Sequence, residues 1–216
     1  MARSARPFLV GGIVAAPLFV VLWAVQAWTR EGFRPTFHPL SLLSLGDGGW
    51  VQIVSFVLTG LLLVGAGIGL RRALHRGAGA TWTALLVALM GVGLVIAGVF
   101  VTDAGAGFPA GAPEGAPQLS WHGAVHEVGF VLTQLAFVVL AILVAVRSAR
   151  SRRRGWMIAS ILALVAAIGV AAVGPAETMA IRLVISSAIE LAFVAAACAG
   201  ALRSAVRKLS EKITFV

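Results

Sequence analysis

Four side chains in this sequence could share one piece of chemistry. His122 and His126 are four positions apart in the stretch Trp121-His-Gly-Ala-Val-His126. On a helix they would share a face, with Cβ atoms about 6 Å apart, a spacing that presents two imidazoles to one metal ion. Asp103 stands at the end of one apolar run, and His38 lies in an earlier polar loop. Folded together, the four would form a His/His/Asp/His set for a divalent cation such as zinc, with Ser41 close by. The plainer reading of the same residues is that they cap helix ends and tie loops together by hydrogen bonds.

A second group lies near the C-terminus. Glu190 falls about halfway along an apolar run, where an ionisable side chain is costly and marks a functional hypothesis by default. Arg182, Ser186 and Glu190 are spaced by four, which lines them along one polar stripe. Arg182 and Glu190 are about 12 Å apart in helix rise, too far to pair directly. Glu190 therefore needs a partner from another helix, from water or from a proton. Glu127, beside His126, and Glu177 are candidate partners for Arg182. The single Cys198 sits in an apolar run and cannot form an intramolecular disulfide; it reads as a small buried hydrophobe. Neither a P-loop, a dinucleotide fingerprint nor a nucleophile elbow is present.

What positions these residues is membrane-spanning. The chain is 60% hydrophobic and 12% charged, where a soluble domain carries about a quarter charged residues. Six apolar runs are long enough for transmembrane helices, at about 7–29, 48–70, 79–102, 121–146, 155–173 and 179–202. The first follows Arg3 and Arg6 and ends near a signal-peptide-like Val25-Gln26-Ala27, but its apolar stretch exceeds a signal peptide's and reads as an uncleaved helix. Pro17 removes a backbone donor and is expected to kink it. The expected fold is an all-α polytopic bundle of six transmembrane helices forming a single domain, 1–216. Small residues at packing intervals, such as Gly93 and Ala97, suit close helix approach.

The net charge of +9 would suggest nucleic acid in a soluble protein; here a topology signal explains it better, and no nucleic-acid partner is expected. Fourteen of the 17 Lys and Arg fall on one side: Arg3 and Arg6; Arg71, Arg72 and Arg76; the five arginines of 147–154; and Arg203, Arg207, Lys208 and Lys212. By the positive-inside rule both termini are expected in the cytoplasm, with His38, Asp103, His122 and His126 outward in a plasma-membrane protein.

Two outward loops then stand out. In residues 30–49, Pro39 and Gly46 bracket a short helix in the manner of an N-terminal proline and a C-terminal glycine, with Ser41 and Ser44 on one face. Residues 103–120 are rich in Gly, Ala and Pro, and Gly107-Phe-Pro109 and Pro113 are turn chemistry, so an ordered loop is expected. Trp50 and Trp121 fall where aromatic belts form.

These loops carry a family resemblance. One half is His38-x-x-Ser41-x-x-Ser44-x-Gly46-x-x-Gly-Trp50-x-Gln52; the other is Phe100-x-x-Asp103-x-x-x-Gly-Phe-Pro109-x-Gly-x-Pro113 followed by Trp121-His-Gly-x-x-His126. Together they resemble the uncharacterised six-helix prokaryotic membrane proteins catalogued as domain of unknown function 998, over nearly the whole chain. The resemblance implies Asp-Pro where this chain has Asp103-Ala104, which leaves that turn less rigid. It implies a fold and a place in the membrane, and no activity.

The expected role is non-enzymatic: binding a membrane lipid or small amphiphile, or stabilising a membrane assembly, through a polar mouth containing His38, Ser41, Asp103, His122, His126, Glu127, Arg182 and Glu190. No cofactor is called for by that role. A metal-dependent intramembrane lipid hydrolase built on the His/Asp set is the alternative, sharing with zinc-dependent enzymes of that kind a Ser, an Asp and paired histidines, in a different order. A small-solute or proton-coupled transporter is the third reading; few polar residues in the inner half, Gln134 and Ser160 apart, argue against it. Oligomeric state is not legible.

Overall fold

The computed structural model describes residues 2–74 and 77–214, with side chains at 4–74 and 77–207. Arg76 lies outside the described residues, and so do the side chains of Arg3, Lys208 and Lys212. Six long helices follow one another: α1 (Ala2–Thr29), α2 (Gly49–Ala73), α3 (Ala78–Val99), α4 (Trp121–Arg150), α5 (Arg154–Ala172) and α6 (Met179–Thr214). Each is long and apolar enough to cross a membrane, and the described residues contain no strand. The chain is an all-α, multi-pass membrane bundle.

The ends follow local chemistry. Ser120 caps α4, its Oγ accepting from Gly123 N–H at 3.1 Å, which satisfies one of the orphan donors of a helix start. At the C-terminal side α6 continues to Thr214, because no Gly or Pro follows Gly200 and Arg and Lys are good helix formers. α1 runs through both Pro7 and Pro17.

The helices form a closed ring. Each packs on its neighbours in sequence, α6 returns to α1, and α2 also reaches α6 across the ring. α3 is packed from two directions through glycines. A Cβ on Gly91 would collide with the Gly60 carbonyl of α2, and one on Gly93 with the Gly129 carbonyl of α4. Two residues apart on a helix are about 200° apart in direction, so the pair serves opposite faces, and no hydrophobic force is needed to hold backbones that close. α5 is the least enclosed: Ile158, Ile161, Leu162, Val165 and Ile168 are exposed, as befits a helix facing acyl chains.

The two ends of the ring differ. The arginine end holds the end of α2, the start of α3 and the connection at 151–153. There Arg72 donates to the Ser4 carbonyl and lies over the Phe8 ring, and Arg147 donates to Thr83 Oγ1 at 3.2 Å. The loop end holds residues 30–48, 100–120 and 173–178. Between them sits the main core, with Leu9, Leu63, Leu70, Met90, Phe137, Leu140 and Val194 among its members.

At the loop end a second, smaller core forms from Ala27, Phe33, Leu42, Leu43 and Phe108. Residues Leu40–Ser44 make a short 3-10 helix with Pro39 as its N-cap and Gly46 at φ +70° beyond it. The 103–120 loop folds back on itself: Ala106 N–H donates to Gly115 O at 2.8 Å and Gly107 N–H to Pro113 O at 2.9 Å. Phe108, only 2% exposed, is thereby inserted against Phe33 and His38. Trp50 and Trp121 are both largely exposed, at the loop-end starts of α2 and α4.

Candidate functional site

The residues singled out from the sequence divide into three places. Asp103, His122 and His126 meet at the corner between α3 and α4. α3 ends at Val99, which leaves its last carbonyls without intrahelical donors. His126 Nδ1 donates to Ala97 O at 2.8 Å and Phe100 O at 3.0 Å, and His122 Nδ1 donates to Val101 O at 2.9 Å. A ring nitrogen facing carbonyls must carry the proton, so both tautomers are set by the end of α3. Asp103 accepts from Ser120 N–H at 2.8 Å and Ser120 Oγ–H at 2.6 Å. The N-cap of α4 is thus itself held by the residue four past the end of α3. Those two bonds hold the Asp103 carboxyl below the usual carboxylate range, with His122 and His126 adding smaller electrostatic contributions. His122 Nε2 is 3.9 Å from Asp103 Oδ1.

His38 is elsewhere, clasped under the 103–120 loop. Its Nδ1 accepts from Arg34 N–H at 2.9 Å, so its Nε2–H donates to Ala106 O at 3.0 Å. The ring is 2% exposed and lies among Phe33, Phe37 and Phe108, each centroid within 5.5 Å. Burial is the main cause that lowers its pKa; Arg34 adds to that, against the Ala106 carbonyl and Glu114. Arg30 completes the clasp, donating to Leu43 O at 3.1 Å and standing over the Phe108 ring.

The expected four-residue metal set is therefore not assembled. Among the described residues no group of three or more His, Cys, Asp and Glu side chains is gathered to hold a metal ion. The physical reason is that both nitrogens of His38, and the Nδ1 atoms of His122 and His126, are spent on backbone groups. Ser41 makes no hydrogen bond to a histidine or carboxylate, so the hydrolase's nucleophile–base pair is not formed either. Arg182 turns away from the mouth and caps α5, donating to Ala171 O and Pro175 O at 2.9 Å each. It pairs with neither Glu127 nor Glu177.

The third place is a cavity of about 200 Å3 inside the loop-end half of the ring. Pro39, Leu40 and Ser41 form part of its wall, and α1, α2, α3, α4 and α6 supply the rest. Phe19, Phe56, Met90, Leu94 and Leu183 give it an apolar lining, into which His126, Glu127, Gln134, Ser187 and Glu190 bring polar groups. Glu127 and Phe130 line the cavity and are exposed at the surface, which places its rim beside them. Glu190, 2% exposed, is fixed across the ring: its Oε1 accepts from Gln134 Nε2 at 2.8 Å and Ser186 Oγ at 3.3 Å. Among the described residues no hydrogen bond reaches its Oε2 or His126 Nε2, which in the neutral ring is an acceptor.

Gln134 and Ser187 were not singled out from the sequence as site residues; a Gln in the apolar stretch of α4 was the available signal. A buried polar seam between α1 and α2 also went unread. Gln26 Nε2 donates to Gln52 Oε1 at 2.8 Å, and Trp23 Nε1, Ser55 Oγ and Thr59 Oγ1 are buried without protein partners. The spacing of Gln52, Ser55 and Thr59 along one face of α2 was its signal.

The six apolar helices, with arginines gathered at one end, define a multi-pass integral membrane protein. A family model described as Protein of unknown function (DUF998) matches residues 13–207. The chain belongs to that family, as its loop motifs suggested. No curated protein and no solved structure matches it.

Proposed function

We propose that this protein binds a lipid or a small amphiphile, without chemistry, in the cavity beneath the 40–44 helix. The observation that carries this reading is the lining: aromatic and aliphatic walls with a few convergent polar groups, the usual make-up of a small-molecule site. At about 200 Å3 it is smaller than the roughly 300–1,000 Å3 of pockets that enclose a whole drug-sized ligand. It suits a head group and the first carbons of a tail, the remainder leaving past Phe130. The basic clusters support a bundle with the arginine end in the cytoplasm and the cavity toward the outer face of the plasma membrane. The two clasps described above hold the rim in shape: Asp103–Ser120 sets the start of α4, and His38 with Arg30 sets the 40–44 helix.

The test is to fill the cavity. Ser187 is half-buried on the α6 wall, and Ser187→Phe should occupy the space while leaving the helix ring intact. Native mass spectrometry of full-length protein from a non-ionic detergent should show a co-purifying amphiphile on the wild type and none on a well-folded Ser187→Phe. Equal retention by both proteins would refute the site.

A further inference from the structure

We infer that the head group this cavity selects is a primary ammonium, an inference that rests on the reading of the cavity as an amphiphile site. The polar part of the lining is rich in acceptors and carries acid. Glu127 and Glu190 both line it, and no Lys or Arg does. Among the described residues no cation pairs with Glu190. Its hydrogen bonds come from the neutral groups of Gln134 and Ser186, both to Oε1. Arg182, on the same helix, is committed to the carbonyls of Ala171 and Pro175. A buried carboxyl without a countercharge calls for a cation or a proton.

The geometry favours a cation that also donates hydrogen bonds. An ammonium has three N–H donors and no acceptor, and the cavity offers Glu190 Oε2 and His126 Nε2, neither of which takes a hydrogen bond among the described residues. His126 is held in this donor-seeking state because its other nitrogen is bonded to Ala97 O and Phe100 O. Phe19, Phe56 and Phe130 supply ring faces suited to a positive charge. A phosphate or sulfate head would meet two carboxyls and no basic side chain, so anionic lipids are selected against. A hydroxyl head can use the same acceptors but gains nothing from the charges.

The experiment uses the full-length protein in a non-ionic detergent and three chain-matched probes: n-octylammonium, n-octanol and n-octyl sulfate. Binding is measured by isothermal titration, with Ser187→Phe as the baseline that removes partitioning into the micelle. We expect n-octylammonium to bind at least about tenfold more tightly than n-octanol, with no saturable binding of n-octyl sulfate. Glu190→Gln should remove most of that preference, and Glu127→Gln a smaller part. Sulfate binding as tight as ammonium binding, or an ammonium preference that survives both substitutions, would overturn the inference. The three wild-type titrations decide the head group even if a variant fails to fold. If none of the probes binds above the Ser187→Phe baseline, the amphiphile site itself is refuted, an outcome distinct from octanol and octylammonium binding equally.

Discussion

His38 should make the loop end acid-sensitive, and the structure fixes both the sign and the limit of the effect. Its Nδ1 accepts from Arg34 N–H while its Nε2–H donates to Ala106 O. Protonation would put a second N–H against the Arg34 amide, turning a hydrogen bond into a donor–donor contact in a site that is 2% exposed. The pKa in the folded protein is lowered from 6.5, chiefly by burial, so the opened loop takes up a proton that the closed loop refuses. The stabilisation is therefore complete above pH 6.5 and is lost as pH falls from there toward the folded pKa. One proton limits the slope to about 1.4 kcal/mol, or tenfold in the opening equilibrium, per pH unit.

Hydrogen exchange in lipid nanodiscs, corrected for the intrinsic pH dependence, should report this at Ala106 and Gly107, whose amides bond Gly115 O and Pro113 O. Protection should fall by up to about tenfold between pH 6.5 and 5.5. His38→Gln keeps a donor within reach of Ala106 but does not titrate. It should be less protected at pH 7.5, by about 1 kcal/mol for one net hydrogen bond, and flat with pH. A flat wild-type profile, or a slope that persists in His38→Gln, would refute the clasp.

Three further outcomes are expected. Glu190→Leu should cost about 1–3 kcal/mol in detergent stability because it strands the Gln134 amide and the Ser186 hydroxyl. Glu190→Gln should cost less, and adding Gln134→Leu to Glu190→Leu should recover part of the loss. A Glu190→Leu variant more stable than wild type would mean the cross-ring bond contributes nothing. Asp103→Ala and Ser120→Ala should be non-additive, with a coupling energy of about 1–3 kcal/mol in thermal unfolding. Because the Asp103 pKa is lowered, that contribution is present above the ordinary carboxylate range and is lost only as pH falls through the folded value; simple additivity would mean that Asp103 does not act through the Ser120 cap. In a Cys198→Ala background, cysteines at exposed Asp47 and Gln118 should react with an impermeant thiol reagent in intact cells, and one at Ser151 only after permeabilisation, the reverse pattern inverting the topology.

The helices were legible because a membrane span is a one-dimensional signal: length, hydropathy and the absence of charge settle it within a single segment. Long α4 and α6 show where that signal stops short. Arg147, Arg203 and Arg207 lie past the apolar runs without ending the helices, since arginine leaves the bilayer and stays helical. The pairing of His122 and His126 on one face was equally local. Their use was not, because it depends on where the last turn of α3 lies against α4, a distance set by Gly93 and Gly129 meeting backbone to backbone. His38 was grouped with them because it falls in the other outward loop that carries the family resemblance; its partners come from Arg34 and from Ala106, sixty-eight positions on. Gln134 became visible as a site residue only when α6 was placed opposite it.

The same placements weigh the three functional readings against one another. A hydrolase needs its histidines free on at least the atoms that touch metal or nucleophile, and among the described residues only His122 Nε2, 3.9 Å from Asp103 Oδ1, and His126 Nε2 remain uncommitted to the backbone. Among the described residues they are not gathered with carboxylates into the group of at least three protein ligands that a closed or catalytic zinc site takes. A transporter needs polar groups on both sides of Glu190. On the arginine side of Glu190 lie Phe137, Leu140, Phe193, Val194 and Cys198, all buried in the main core, with Phe137 and Phe193 meeting edge to face. Such a close-packed interior has no continuous line of donors and acceptors for a solute or a proton to follow. What is left is a cavity that the apolar main core closes toward the arginine end, with Gln134 and Glu190 among its deepest lining residues and its rim beside Glu127 and Phe130. That arrangement supports the binding role proposed above.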